Sequence, residues 1–122
     1  AENDGKIFAE CGGMIFLSKG IADATGGNIH RFCGVLPFEC TMQNARLHLG
    51  YREIVDGNGR HWRGHEFHYS NIADNVNVPA SVAKQYNRNG VEVATSLFRY
   101  KNVIAGYTHF YWGEEDILKL WE

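Results

Sequence analysis

The chain has 122 residues, enough for one domain with a modest core, and a formal net charge of −2 with twelve Lys and Arg against fourteen Asp and Glu. The basic residues are scattered, so the charge gives no basis for binding nucleic acid or an anionic membrane. Cys11, Cys33 and Cys40 are an odd set without CxxC spacing. They suggest neither a disulfide framework nor a zinc ribbon, and a reducing cytoplasm is the expected setting. No apolar run approaches a membrane span, and no signal peptide, repeat or low-complexity tract is seen.

In chain order, Ile7-Phe8-Ala9 predicts a short buried strand. Cys11 and the pair Gly12-Gly13 follow at once, then the helix-compatible run Met14-Ile15-Phe16-Leu17. A strand that turns into a helix through a polar residue and glycines has the pattern of a nucleophile elbow. The glycines let the backbone pass close by and leave room for substrate, and the Gly12 amide would lie where it can stabilise an oxyanion. The plain alternative is a buried, inert thiol.

The helix is expected to run through Lys19 and Gly20 and to stop in Ala24-Thr-Gly-Gly-Asn28. Phe32 to Phe38 reads as a strand or extended segment ending near Pro37. Arg46 to Val55 alternates with a period of two, Asp56-Gly-Asn-Gly59 predicts a hairpin turn, and Trp62 to Ser70 is the return strand. Residues 71–90 are polar and predict a long surface excursion or a poorly ordered loop. Val91–Tyr100 and Asn102–Tyr107 predict two more strands, the second delivering His109, and the residues after Gly113 suit a short amphipathic helix.

Six histidines invite a metal site. On a strand, however, His61 and His65 share a face while His68 points the other way, and no HExxH is present. The alternative chemistry is a Cys–His pair. A thiol needs a base near neutral pH, and His109 follows an apolar strand, where α/β proteins carry catalytic groups. Against this stands a histidine satisfied within an aromatic cluster of Tyr107, Phe110 and Trp112. Glu10 and Glu66 are the nearest carboxylates and read most simply as structural hydrogen-bond acceptors. No Gly-x-x-x-x-Gly-Lys-Ser/Thr loop is present, so the chain by itself is not expected to hold ATP in that manner.

Ala9-Glu-Cys-Gly-Gly-Met14, Arg63-Gly-His-Glu-Phe-His-Tyr-Ser70 and Asn102-Val-Ile-Ala-Gly-Tyr-Thr-His109, with Leu49-Gly-Tyr51 ahead of the second, occur in this order. Together they resemble the C-terminal glutamine amidotransferase domain of the cobyrinic acid a,c-diamide synthases, across nearly the whole chain. The resemblance implies a class I glutaminase with a partial flavodoxin-like α/β sheet and flanking helices. Cys11 would be the nucleophile, His109 its base, Gly12 an oxyanion donor, and Gly13 with the His68-Tyr69-Ser70 backbone would hold glutamine.

In that family the ammonia passes to a synthetase domain that uses ATP and magnesium to amidate the corrin a and c acetates. No cofactor is therefore expected in residues 1–122 themselves, and the corrinoid would be met through that other domain. Many class I enzymes have an acid two positions past the histidine and Gln four past the cysteine; here those places are Tyr111 and Ile15. A dyad is therefore implied rather than a triad. The expectation is of a C-terminal piece without the upstream strands and their second oxyanion amide, a loss worth about 10²–10³ in rate. Such a piece is expected to be nearly inactive alone and to self-associate through an uncovered sheet edge, a homodimer being the simplest form. A non-catalytic binding module with the same fold is the competing reading.

Overall fold

The computed structural model describes all residues except Gly26, residues 74–77 and Glu114. The chain runs β1 (Ile7–Glu10), α1 (Gly12–Leu17), β2 (Gly20–Ala22), β3 (Ile29–Arg31), β4 (Cys40–Thr41), β5 (His48–Asp56) and β6 (His61–His68). It continues with β7 (Asn71–Ile72), β8 (Ala83–Tyr86), β9 (Glu92–Val93), β10 (Leu97–Tyr100), β11 (Val103–Gly106), β12 (His109–Phe110) and a 3₁₀ turn at Ile117–Trp121. The fold is mixed α/β, mostly strands in several sheets with little helix, in keeping with part of a class I glutamine amidotransferase domain.

The pattern of residue types explains the central strand. Val103-Ile-Ala-Gly106 has no polar residue, and β11 is buried throughout its length. Val103 and Ala105 enter a core with Ala9, Met14, Leu17, Leu36, Phe38 and Phe98. Ile104, on the opposite face, enters a second core with Ile54, Trp62, Leu97, Phe110 and Leu120. A strand buried on both faces needs this continuous apolar character. β1 lies parallel to β11 on one side and β10 antiparallel on the other, so β1 forms an edge of this sheet among the described residues.

The predicted hairpin is present. β5 and β6 pair antiparallel with Tyr51 opposite His65 and Val55 opposite His61. Asp56 closes the turn, its Oδ1 accepting from the amides of Asn58 (2.9 Å) and Arg60 (3.0 Å), while Gly59 takes a φ of 78°. Along β6 exposed and buried residues alternate strictly, which sends His61 and His65 outward and Glu66 and His68 inward.

Elsewhere the elements depart from expectation. The helix ends at Leu17 rather than running through Gly20, because Gly20 begins β2 and pairs with Arg31. A Cβ on Gly20 would meet His30 O at 2.5 Å, so the close approach of β3 depends on the glycine. Residues 32–38 do not form a strand: Gly34 takes a φ of 70° and the chain bends at Leu36–Pro37. Their amides go instead to the open end of α1: Cys33 N to Phe16 O (3.1 Å), Leu36 N to Leu17 O (2.9 Å) and Gly34 N to Ser18 O (2.9 Å).

The polar excursion at 71–90 contains β7 and β8, apart from residues 74–77, which lie outside the described residues. β8 joins β5 despite its polarity because it buries Ala83 and Gln85 on alternate positions. The single strand expected over 91–100 is divided into β9 and β10. The terminal helix is a 3₁₀ turn, capped by Asp116, whose Oδ1 accepts from Leu118 N at 3.0 Å.

β12 crosses β6 with Phe110 opposite Gly64 and His109 opposite His65. A Cβ on Gly64 would lie 2.3 Å from His109 O and 3.0 Å from Thr108 Cγ2. Backbone cannot yield as a side chain tip can. Gly64→Ala should therefore destabilise the fold by about 1–3 kcal/mol or more, read as a lower midpoint in urea unfolding, and should displace β12 from β6.

Candidate functional site

Cys11 stands at the corner where β1 becomes α1. Its φ of 50° and ψ of −110° are not those of strand or helix, and a positive φ is rare for a residue with a side chain. The corner is held on both sides: Cys11 N donates to Gly106 O at 2.8 Å, and Ile15 N donates to Cys11 O at 3.2 Å. The predicted elbow thus has the strained backbone that its sequence called for. The two glycines differ in use. A Cβ on Gly13 would come into close van der Waals contact with Ala9 Cβ at 3.4 Å, where α1 packs on β1, whereas at Gly12 a Cβ would enter open space.

The Cys11 sulfur lies over the end of β6, with Sγ donating to Phe67 O at 3.9 Å. Partial burial pushes the thiol up from its ordinary range, and the carboxylates of Glu10 and Glu66 add to that push; the Gly12 N–H pulls the other way. A thiol in this state needs a base to ionise.

His109 occupies β12, next to the same strand. Its ring stacks on that of His65 with centroids 5.1 Å apart, and its Nδ1 lies 3.3 Å from Glu10 Oε2. The other Glu10 oxygen accepts from Trp112 Nε1 at 3.1 Å. Phe110 and Trp112 do form an aromatic cluster, but around Phe8, at 5.2 and 5.9 Å. The His109 ring turns instead to His65 and Glu10. Tyr111, in the position where an acid is common, is exposed.

Behind β6 lies a buried polar network. Glu66 accepts from Arg52 Nε at 2.6 Å and from the Thr95 hydroxyl on one oxygen, and meets His68 Nε2 at 2.6 Å on the other. His68 Nδ1 lies 2.9 Å from Ser70 O, so both ring nitrogens face acceptors. The His68 ring stacks on Tyr107 at 3.7 Å, and Tyr107 OH bonds Ser70 Oγ at 2.9 Å. Of the residues on this segment expected to border glutamine, His68 and Ser70 are buried in this network and Tyr69 is exposed. His68 thus braces the β6 end from behind, while the backbone at Phe67 faces the thiol.

The arrangement brings the three marked segments together: the end of β1, the second half of β6 and the start of β12. Gly64 and Arg52 are contributors that sequence reasoning left without a role, and Glu10, read there as a structural hydrogen-bond acceptor, lies beside His109. For Glu10 a signal existed: on β1 it shares a face with Phe8, which packs on the segment carrying His109.

The model of the CobB/CobQ-like glutamine amidotransferase domain matches residues 1–117. The chain belongs to this family. Among curated proteins it is similar to the cobyrinate a,c-diamide synthase of Priestia megaterium, 34% identical over 113 residues, which are 86% of this chain and 24% of that protein. The enzyme of the same name from Caldanaerobacter subterraneus subsp. tengcongensis is 37% identical over 111 residues, 84% of this chain and 24% of that one. A shorter match, 40% identical over 70 residues, is to the hydrogenobyrinate a,c-diamide synthase of Brucella abortus, covering 54% of this chain and 16% of that one. The chain therefore spans about a quarter of the length of the first two curated relatives. Its mixed α/β fold is in keeping with part of a class I amidotransferase domain, and no helix among its described residues is long and apolar enough to cross a membrane.

The Glu66 network makes a prediction about acid stability. Burial alone would raise this carboxyl, but hydrogen bonds from His68, Thr95 and Arg52 outweigh it and bring it from 4.5 down to about 2. A lowered carboxylate contributes stability above its unfolded value and loses it as pH falls toward the folded one. Unfolding free energy should fall by on the order of 3 kcal/mol between about pH 5 and 2 through this group. Denaturant titrations at stepped pH should show that slope, flattened in Glu66→Gln.

Proposed function

We propose that this chain is the glutaminase part of a cobyrinate a,c-diamide synthase and acts in cobalamin biosynthesis. The observation that supports it best is the convergence of Cys11, on its strained corner, and His109, on β12, beside the same end of β6.

In this reading glutamine lies with its side-chain amide over Cys11 and its α-amino and α-carboxylate ends against the backbone of His68, Tyr69 and Ser70, near Gly13. His109 takes the thiol proton as the sulfur attacks the amide carbon, and the oxygen that gains charge is met by the Gly12 amide. His109 then protonates the amide nitrogen, the C–N bond breaks, and ammonia leaves a thioester on Cys11. Water, giving its proton to His109, hydrolyses the thioester to glutamate and the free thiol. In the complete protein the ammonia serves a synthetase part, where ATP and magnesium support amidation of the corrin a and c acetates. None of the present residues is assigned to ATP, magnesium or the corrinoid.

Cys11→Ser in the complete synthase should abolish glutamine-dependent amidation and leave ammonia-dependent amidation intact; undiminished use of glutamine would overturn the assignment. The competing reading is a non-catalytic module with this fold, and the upward push of burial on the Cys11 thiol favours it. A glutamine-like diazo-ketone followed by mass spectrometry separates the two. Selective labelling of Cys11 over the exposed Cys33 and buried Cys40 supports catalysis, whereas labelling of Cys33 at an equal rate supports the inert module.

The chain alone should hydrolyse glutamine slowly or not at all. With β1 at a sheet edge it should associate with a second copy. Light scattering across a concentration series is expected to show a dimer, and a monomer at all concentrations would count against it.

A further inference from the structure

We infer that Glu10 is the positioning residue for His109: its carboxylate holds the Nδ1–H, which leaves Nε2 as the nitrogen that receives the thiol proton. The inference rests on the Cys–His reading above and adds the acid that the position of Tyr111 does not supply.

Four observations carry it. Glu10 Oε2 is 3.3 Å from His109 Nδ1. Its other oxygen is fixed by the Trp112 indole at 3.1 Å, so the carboxylate is oriented and not merely close. The second face of the problem, rotation of the imidazole, is limited by the His65 ring stacked on it. Finally, Glu10 is the residue before the nucleophile, paired with Gly106 in the register that sets Cys11 against β11, so one strand end supplies both the nucleophile and the acid.

The charge balance argues that this contact has a chemical use. A carboxylate next to Cys11 disfavours the thiolate directly. Once His109 has taken the proton, the same carboxylate faces an imidazolium and favours it, so the net effect is to stabilise the ion pair rather than either neutral partner. Glu10 receives no proton in the cycle. As a stability element the contact would count for little, because the histidine is 38% exposed and solvent screens such a pair. Among the described residues, Glu10 from β1 and His65 from β6 are titratable groups that face the His109 ring.

The test uses the 122-residue chain with ¹⁵N-labelled histidine, as wild type, Glu10→Gln, Glu10→Asp and His109→Asn. Spectra are recorded where the ring is neutral, and Cys11 alkylation by iodoacetamide is followed by mass spectrometry. Glu10→Gln retains an acceptor for Trp112, so the fold should hold, which thermal unfolding checks. The expected result is a Nδ1–H tautomer in the wild type and a tautomer mixture in Glu10→Gln. Cys11 alkylation should slow by about tenfold to a hundredfold, with partial recovery in Glu10→Asp. Wild-type tautomer and alkylation rate in Glu10→Gln, with His109→Asn slow, would overturn the role of Glu10 and leave the Cys–His pair standing. A lower melting temperature without a tautomer change would mark Glu10 as structural and overturn it too. An unchanged rate in His109→Asn would remove the pair and this inference together.

Discussion

The site depends on one pairing, the parallel register of β1 on β11 with Glu10 level with Gly106. Because the two strands run the same way, the chain leaves both of them at the same end of the sheet. Cys11 follows directly from one, and Tyr107, Thr108 and His109 follow from the other. An antiparallel pair of the same sequences would send them to opposite ends, roughly 3.3 Å farther apart for each paired residue. Burial of β11 on both faces holds the register, since a slip by one residue would exchange the side chains that fill the two cores.

The second support is polar, and its logic differs. Removing Arg52, Glu66 and His68 from water is costly, and only close, complete hydrogen bonding offsets it. Here both Glu66 oxygens are engaged and both His68 nitrogens face acceptors, with Tyr107 stacked against the ring. Apolar packing would hold β6 as firmly but would leave its end freer to adjust. A directional network fixes the place where the β6 backbone passes the Cys11 sulfur.

Local features were the legible ones. The β5–β6 hairpin could be read because Asp56-Gly-Asn-Gly59 dictates its own turn and the alternation along β6 dictates its faces. The elbow could be read because an apolar strand, a cysteine and two glycines in succession suit a tight corner. What stayed hidden was set by distant partners. Residues 32–38 have a strand's composition, yet their amides are drawn to the carbonyls at the end of α1. β8 looks like loop until β5 offers it a ladder, with buried Gln85 bonded to Thr108. Glu10 looks like an ordinary acid at a strand end until β12 brings an imidazole to it. The family likeness, resting on motifs from three segments, pointed to what lies together without the pairing that brings it there.

Tyr107 and Thr108 carry the chain out of the sheet of β11 and into that of β12. Each is moored to a different neighbour: the phenol to Ser70 at 2.9 Å and the threonine hydroxyl to Gln85 at 2.6 Å. The sulfur belongs to the first sheet and the imidazole to the second, so the gap between them follows the tilt of one sheet on the other, as the opening of shears follows the angle of the blades. A shift in the outer strands of either sheet, far from the corner, would therefore bear on the separation of Cys11 and His109 without touching either residue.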